Sequence, residues 1–225
     1  MPRFKVLASD YDGTLAHHGR VPAEAESALE RFRAAGGLVV LVTGRRHEEL
    51  EEVFPSAAQH LDLLVAENGG LLVHYPDQSR RTLLGDRLPE GLHQSLHENG
   101  VHVFETGELI VSAAREDEDG VRRAAAALEA RWPCQVVPNK DRVMLLSAGI
   151  DKESGLTAAL EVLGVDRADT VAIGDAENDL PLLRGVGLAV AVANSVPALT
   201  AVADRVTDGR ASQGVVETIE ALLRD

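Results

Sequence analysis

Short aliphatic runs recur along this chain, and each of the longer ones stops at a cluster of polar side chains. Residues 4–9 lead into Asp10-Tyr11-Asp12-Gly13-Thr14, and 38–42 into Thr43-Gly44-Arg45-Arg46. Residues 63–66 lead into Glu67-Asn68-Gly69-Gly70, and 170–173 into Gly174-Asp175-Ala176-Glu177-Asn178-Asp179. The runs are Val-, Leu- and Ile-rich and do not alternate with polar residues, so they predict strands buried on both faces. Stretches with helical spacing separate them. Val21-Pro22-Ala23-Glu24 opens a helix whose apolar stripe is Ala25, Leu29 and Phe32, and Gly36-Gly37 stops it. A second helix begins near His47 and is limited by Pro55, and a third runs from Lys152 to Leu163-Gly164. Further strands are expected at 71–73, 187–192 and 205–207, and helices at 195–203 and 212–223. Strand–helix alternation of this kind predicts an α/β fold, a doubly wound parallel sheet with helices on both faces.

The alternation breaks in the middle of the chain. Residues 76–82 are polar and read as a linker. Residues 90–99 then have helical spacing, 101–105 and 108–113 read as strands around a turn at Thr106-Gly107, 118–131 as a helix, and 134–137 and 142–147 as strands. Helix plus hairpin, twice over, is an antiparallel α+β unit. The expected organisation is therefore a core of residues 1–77 and 150–225, interrupted by a smaller inserted unit at 78–149.

Composition narrows the partners. The formal charge is 22 − 36 = −14, which disfavours nucleic acid and anionic membranes but leaves room for a small anion bound at a local positive site. One cysteine, Cys134, cannot form an intrachain disulfide framework. The apolar runs are shorter than a membrane span, and Met1-Pro2-Arg3 leads directly into a strand, so a cytoplasmic protein is expected. Aromatics make up 3% of the chain, so the core must be aliphatic.

In a parallel sheet the carboxyl ends of the strands share one edge, where ligands bind. That edge would gather Asp10/Asp12, Thr43-Gly44, Lys152 and Asp175/Asn178/Asp179. Asp10 and Asp12 repel each other unless a cation or proton compensates. The pair suits a divalent cation, a division between nucleophile and general acid/base, or a simple Asx turn. Together the clusters offer carboxylates for Mg²⁺, a hydroxyl and backbone N–H groups at a helix start, and one ammonium, a set that suits a phosphate. Lys152 carries extra weight because the chain has three lysines against nineteen arginines. A lysine in such a chain marks a place for a compact, rotatable charge.

In this order the motifs Asp10-Tyr11-Asp12-Gly13-Thr14, Thr43-Gly44-Arg45, Lys152 and Gly174-Asp175 with Asn178-Asp179 resemble the haloacid dehalogenase superfamily of phosphatases. The insert resembles its type C2 cap, in the C2B form of Cof-like and sugar-phosphate phosphatases, as do Asn68-Gly69-Gly70 and Ser212-Gln213-Gly214-Val215. The resemblance implies that Asp10 is the nucleophile that becomes an aspartyl-phosphate and that Asp12 is the general acid/base. It implies that Thr43, Gly44, Lys152 and Asn178 hold the phosphoryl group. It also implies that Asp10, Asp12 through its backbone carbonyl, and Asp175 ligate Mg²⁺, with Asp179 behind them. Tyr11 departs from the commoner aliphatic residue, and Glu153 from a frequent glycine. The expected function is a Mg²⁺-dependent phosphatase acting, as a monomer or homodimer, on a small phosphorylated metabolite of the sugar-phosphate or phosphoglycolate class. A phosphomutase and a non-catalytic binding domain are the alternatives. Glu105, Thr106, Asn139, Lys140 and Arg142 are the expected substrate contacts of the insert. His17-His18 are expected in the turn beside the site, and His93, His97 and His102 as solvated surface residues.

Overall fold

The computed structural model describes residues 3–224. In chain order the elements are β1 (Val6–Ser9), α1 (Ala23–Ala34), β2 (Leu38–Val42), α2 (His47–Val53), α3 (Ala57–His60), β3 (Leu63–Ala66), β4 (Leu71–His74) and β5 (Arg81–Leu83). The chain continues with α4 (Leu92–Glu98), β6 (Phe104–Thr106), β7 (Ile110–Ala114), α5 (Glu118–Leu128), β8 (Cys134–Asn139) and β9 (Arg142–Ser147). It closes with α6 (Lys152–Leu163), β10 (Thr170–Gly174), β11 (Leu188–Ala191), α7 (Pro197–Thr200), β12 (Arg205–Val206) and α8 (Ser212–Leu222).

The large sheet has the order β12-β11-β10-β1-β2-β3-β4-β5. Strands β12 to β3 in that order pair in parallel, and β4 and β5 add antiparallel edges. The chain builds outward from β1 through β2 and β3, then returns to lay β10 on the other side of β1. The strand order therefore reverses between β1 and β10, the position at which open α/β sheets open a crevice. Register brings the motifs together there: Ser9 pairs with Ile173, so Asp10 and Gly174 follow side by side.

Both faces of the sheet are buried, as the unbroken aliphatic runs require. Leu7, Leu41, Val171 and Ile173 pack under Leu29, Phe32 and Ile219 of α1 and α8. Val6, Val40, Val42 and Ala172 pack under Leu156 and Leu160 of α6. Each of these Val, Leu, Ile and Phe side chains contributes roughly 1.5–3 kcal/mol when fully buried. The inserted unit forms its own four-stranded antiparallel sheet, β6-β7-β9-β8. Val111, Val143 and Leu145 bury one of its faces against Leu96, Val121 and Leu128 of α4 and α5. Met144 and Leu146 point to the opposite face.

The polar stretch at 76–82 is not wholly a linker. It holds the start of β5, which pairs Arg81 with Val73 and Thr82 with Leu72 on the edge of the large sheet. An edge strand needs only backbone pairing on one side, so Arg81 and Thr82 keep their side chains in solvent and read as loop. The large sheet thus retains the chain through Leu83, beyond the expected boundary at 78. Among the described residues no helix is long and apolar enough to cross a membrane.

Candidate active site

At the end of β1 the backbone turns back sharply. Leu15 N–H donates to the Asp10 carbonyl at 3.2 Å and Ala16 N–H to the Tyr11 carbonyl at 2.7 Å. Gly13 sits in this turn at φ +87°, and a Cβ there would overlap the carboxylate of Asp175. Glycine is therefore required both for the turn and for the approach of β1 to β10. Gly174 does the same from the other side: a Cβ on it would run into Asp179. Asp179 uses that space to accept N–H bonds from Asp175 at 2.9 Å and Ala176 at 3.0 Å.

The result is a cluster of buried carboxylates, Asp10, Asp175 and Asp179, with oxygens that lie within 4.8 Å of one another. Lys152 enters it from the first position of α6. Asp151 caps that helix, accepting Ser154 N–H at 2.8 Å while Ser154 Oγ accepts Asp151 N–H at 3.0 Å. The cap fixes the helix start, and the fully buried Lys152 Nζ reaches Asp10 Oδ1 at 2.5 Å and Asp179 Oδ1 at 2.6 Å. Burial, then the charge of Asp179, push the Asp10 carboxyl up to about 7 despite Lys152. Burial likewise raises Asp175 above the usual carboxylate range, opposed by its bond to Lys140. For Lys152 burial favours the neutral amine, but Asp10 and Asp179 outweigh it and hold the ammonium above its ordinary pKa.

Two ammoniums, Lys152 and Lys140, face three buried carboxylates, so the cluster keeps one negative charge in excess, and two whenever Lys140 is withdrawn. Asp175 Oδ1 is buried with no hydrogen-bond partner among the described residues. An all-oxygen donor set with negative charge in excess and an unpartnered buried carboxylate oxygen fits a hard divalent cation.

Around the cluster lie the other expected residues. Asn178 is buried, lines the cleft and donates to Asn68 Oδ1 at 3.1 Å. Asn68 N–H in turn donates to the Thr43 carbonyl at 2.9 Å, so three strand ends are tied together. Thr43 is buried and its hydroxyl accepts Arg45 N–H at 3.1 Å, whereas Gly44 lies on the cleft wall. Asp12 is half-exposed and held by both sides of Arg45, Nε to Oδ2 at 2.7 Å and Nη2 to Oδ1 at 2.8 Å. The guanidinium lies 5.4 Å from the centre of the Tyr11 ring, so the unusual Tyr11 forms the platform for Asp12's partner.

A cleft of about 390 Å³ separates these groups from the small sheet, whose Glu105, Asn139, Lys140 and Arg142 form the opposite wall. Thr106 is not on that wall. Its hydroxyl meets His93 Nε2 at 3.2 Å and its carbonyl accepts from Arg46 at 3.4 Å. Glu67 ties the two units at one side: its buried carboxylate accepts N–H from Glu108 at 3.0 Å and Leu109 at 2.7 Å. His17 lies in a separate depression with Pro22 and Gln213, not in the cleft. His97 and His102 meet each other at 3.2 Å on the exposed outer surface.

Sequence reasoning named two contributors without their partners and missed a third. Arg45 was visible only as a neighbour of Thr43, and its pairing with Asp12 joins two strand ends. Lys140 reaches across the cleft to Asp175 Oδ2 at 2.7 Å and the Asp12 carbonyl at 3.2 Å. Asn194 donates to Asp175 Oδ2 at 3.0 Å and the Gly13 carbonyl at 2.8 Å. Asn194 follows β11, so the rule that polar residues past a parallel strand face the crevice would have found it.

Comparison with known proteins agrees with this architecture. The family model of haloacid dehalogenase-like hydrolases matches residues 7–107 and 104–219. The phosphoglycolate phosphatase of Methanothermobacter thermautotrophicus is 32% identical over 227 residues, covering 97% of this chain and 99% of that protein. A haloacid dehalogenase-like hydrolase from Bacteroides thetaiotaomicron has the same fold, with a TM-score of 0.81 at 20% identity over 97% of this chain and 99% of that one. A subclass IIB sugar phosphatase of the same superfamily aligns with a TM-score of 0.77 at 18% identity, covering 96% of this chain and 98% of its own. The chain belongs to the haloacid dehalogenase-like hydrolases.

Proposed function

We propose that this chain is a Mg²⁺-dependent phosphatase of small phosphorylated metabolites, with phosphoglycolate the leading substrate. The observation that carries the reading is the buried Asp10–Lys152–Asp179 arrangement beside Asp175, open to a small polar cleft. Residues 78–149 are read as the cap, with β5 as the strand that ties it to the core sheet.

Asp10 attacks phosphorus, its Oδ–P bond forming as the bond to the substrate oxygen breaks. Asp12 gives that oxygen a proton, then takes one from the water that hydrolyses the aspartyl-phosphate. The bidentate Arg45 pair suits the second half of this cycle and opposes the first. The fork therefore opens when substrate enters, and a phosphoryl oxygen is the next acceptor for Arg45. Lys152 holds Asp10 in place and offsets charge on the phosphoryl group, with Gly44 and Asn178 beside it. Asp10, the Asp12 carbonyl and Asp175 would hold Mg²⁺, with Asp179 behind them, and the ion would supply charge neutralisation for the incoming phosphate. Phosphoglycolate leads because the relative from Methanothermobacter thermautotrophicus is a phosphoglycolate phosphatase, and Lys140 and Arg142, paired here with Asp175 and Glu105, are the cap-wall cations that its carboxylate would engage. The net charge of −14 supports a small-molecule substrate over nucleic acid, and a cytoplasmic monomer or homodimer fits the same reading.

The test is phosphate release from phosphoglycolate, a panel of sugar phosphates and an aryl phosphate. Turnover of phosphoglycolate is expected with Mg²⁺ and not after chelation. Ca²⁺ should not replace Mg²⁺, because the larger ion accepts more oxygens and can capture both oxygens of Asp10. Isomerised sugar phosphate without free phosphate would instead establish a mutase.

A pH dependence follows from the buried carboxyls. Because Asp10 is pushed up to about 7, a proton and the metal compete for it below that pH. Mg²⁺ affinity should rise by up to about tenfold per unit as pH increases towards 7, and level off above it. Calorimetric titrations at about pH 6 and about pH 8 would show this, and equal affinities would remove Asp10 from the metal site.

A further inference from the structure

The cap hairpin that joins β8 to β9 turns on two residues, Lys140 and Asp141, between the paired Asn139 and Arg142. Lys140 has φ +52°, a left-handed conformation at the first turn position, where glycine or asparagine is favoured and a lysine is strained. Its backbone gives no reason for a lysine, so the reason lies in the side chain. The ammonium spans the cleft to Asp175 Oδ2 at 2.7 Å and the Asp12 carbonyl at 3.2 Å. Two of the three lysines in the chain therefore converge on one group of carboxylates, Lys152 from below and Lys140 from the cap.

These contacts have a consequence for the metal reading above, on which the inference rests. Asp175 and the Asp12 carbonyl are the groups assigned there to Mg²⁺. A divalent cation on those oxygens would leave the ammonium facing positive charge with its acceptors taken. We propose that Lys140 is a latch: it holds the cap hairpin on the core through the metal's own oxygens, and a divalent cation releases it. Cap opening and metal binding are then coupled, because one set of oxygens serves either cation but not both. By linkage, removing the latch must tighten metal binding, and binding metal must loosen the hairpin.

The test uses the full chain and Mn²⁺, with free ion counted by its paramagnetic resonance. Lys140→Met should bind Mn²⁺ about tenfold more tightly than the parent. Lys140→Gly, which also relieves the strained φ, should do the same, so a folding defect in one variant does not hide the effect. Amide hydrogen exchange at residues 139–142 should accelerate in the parent when Mn²⁺ is added. In Lys140→Met it should be fast from the start and unchanged by the ion. Unaltered Mn²⁺ affinity in both variants, or a parent hairpin that ignores the ion, overturns the latch. Asp175→Asn separates that failure from failure of the metal site. If Asp175→Asn loses Mn²⁺ while the Lys140 variants bind like the parent, the latch alone is wrong. If Asp175→Asn binds Mn²⁺ as the parent does, the metal assignment falls and the latch falls with it.

Discussion

Asp10→Asn is expected to fold like the parent and to retain less than about a thousandth of its kcat, since a lost nucleophile usually costs at least that much. The substitution keeps the volume and one oxygen near Lys152 but removes the attacking charge. It should also leave a distinctive mark on stability. The carboxyl of Asp10 is raised from 3.8 in the unfolded chain to about 7 in the folded protein, chiefly by burial. Between those values the folded state binds the extra proton, so the contribution of Asp10 to stability falls as pH rises from about 4 to about 7 and is flat above. The penalty is on the order of a few kcal/mol for a shift of this size. Asparagine carries no such penalty. In chelator, to keep metal binding out of the comparison, Asp10→Asn should match the parent near pH 4 and be at least as stable near pH 8. Turnover above about a hundredth of the parent rate would rule out a covalent intermediate on Asp10. Loss of the folded state at pH 8 would show that the charge is structural.

Lys152 should give the second large effect, and its two obvious substitutions should fail differently. Lys152→Met leaves Asp10 and Asp179 in a buried site with no positive partner. Breaking a buried ion pair in this way costs about 3–5 kcal/mol, a large part of the stability of a typical domain. Lys152→Arg keeps the charge but places a wide planar group where one nitrogen reaches Asp10 Oδ1 and Asp179 Oδ1 at 2.5 and 2.6 Å. The side chain has no exposed surface into which the extra atoms could move. Because the charge is kept, Lys152→Arg should lose less stability than Lys152→Met, about 1–3 kcal/mol from overpacking, with kcat/KM lower by about a hundredfold or more as the phosphoryl group meets the wrong donor geometry. Urea unfolding for the first variant and steady-state kinetics for the second are the measurements. A Lys152→Arg enzyme with nearly normal kcat/KM would place Lys152 outside the chemistry.

Much of this site can be read from the sequence because its information is local. An aliphatic run followed by Asp10-Tyr11-Asp12-Gly13-Thr14 states both the strand and the end at which its polar groups emerge, and the same holds for Thr43-Gly44 and for Asp175 to Asp179. Once alternation with helices makes the strands parallel, geometry alone brings those ends to one edge. The helix–hairpin repeat of the insert is local in the same sense, since both of its hairpins close over short turns. The edge strand β5 escaped because it buries too little for composition to mark it.

What only the tertiary structure decided is which charge meets which. Asp12 could have faced any of nineteen arginines, and it is Arg45, thirty-three residues away, that grips it from the neighbouring strand end. Glu67 reads as a loop acid after β3, yet it holds the backbone of the cap. Lys140 reads as a hairpin residue, yet it rests on Asp175 across the cleft. Periodicity determines the face and the edge to which a side chain is delivered. The choice of partner depends on distances of a few ångströms between elements far apart in the chain, and those are set only when the two units have packed.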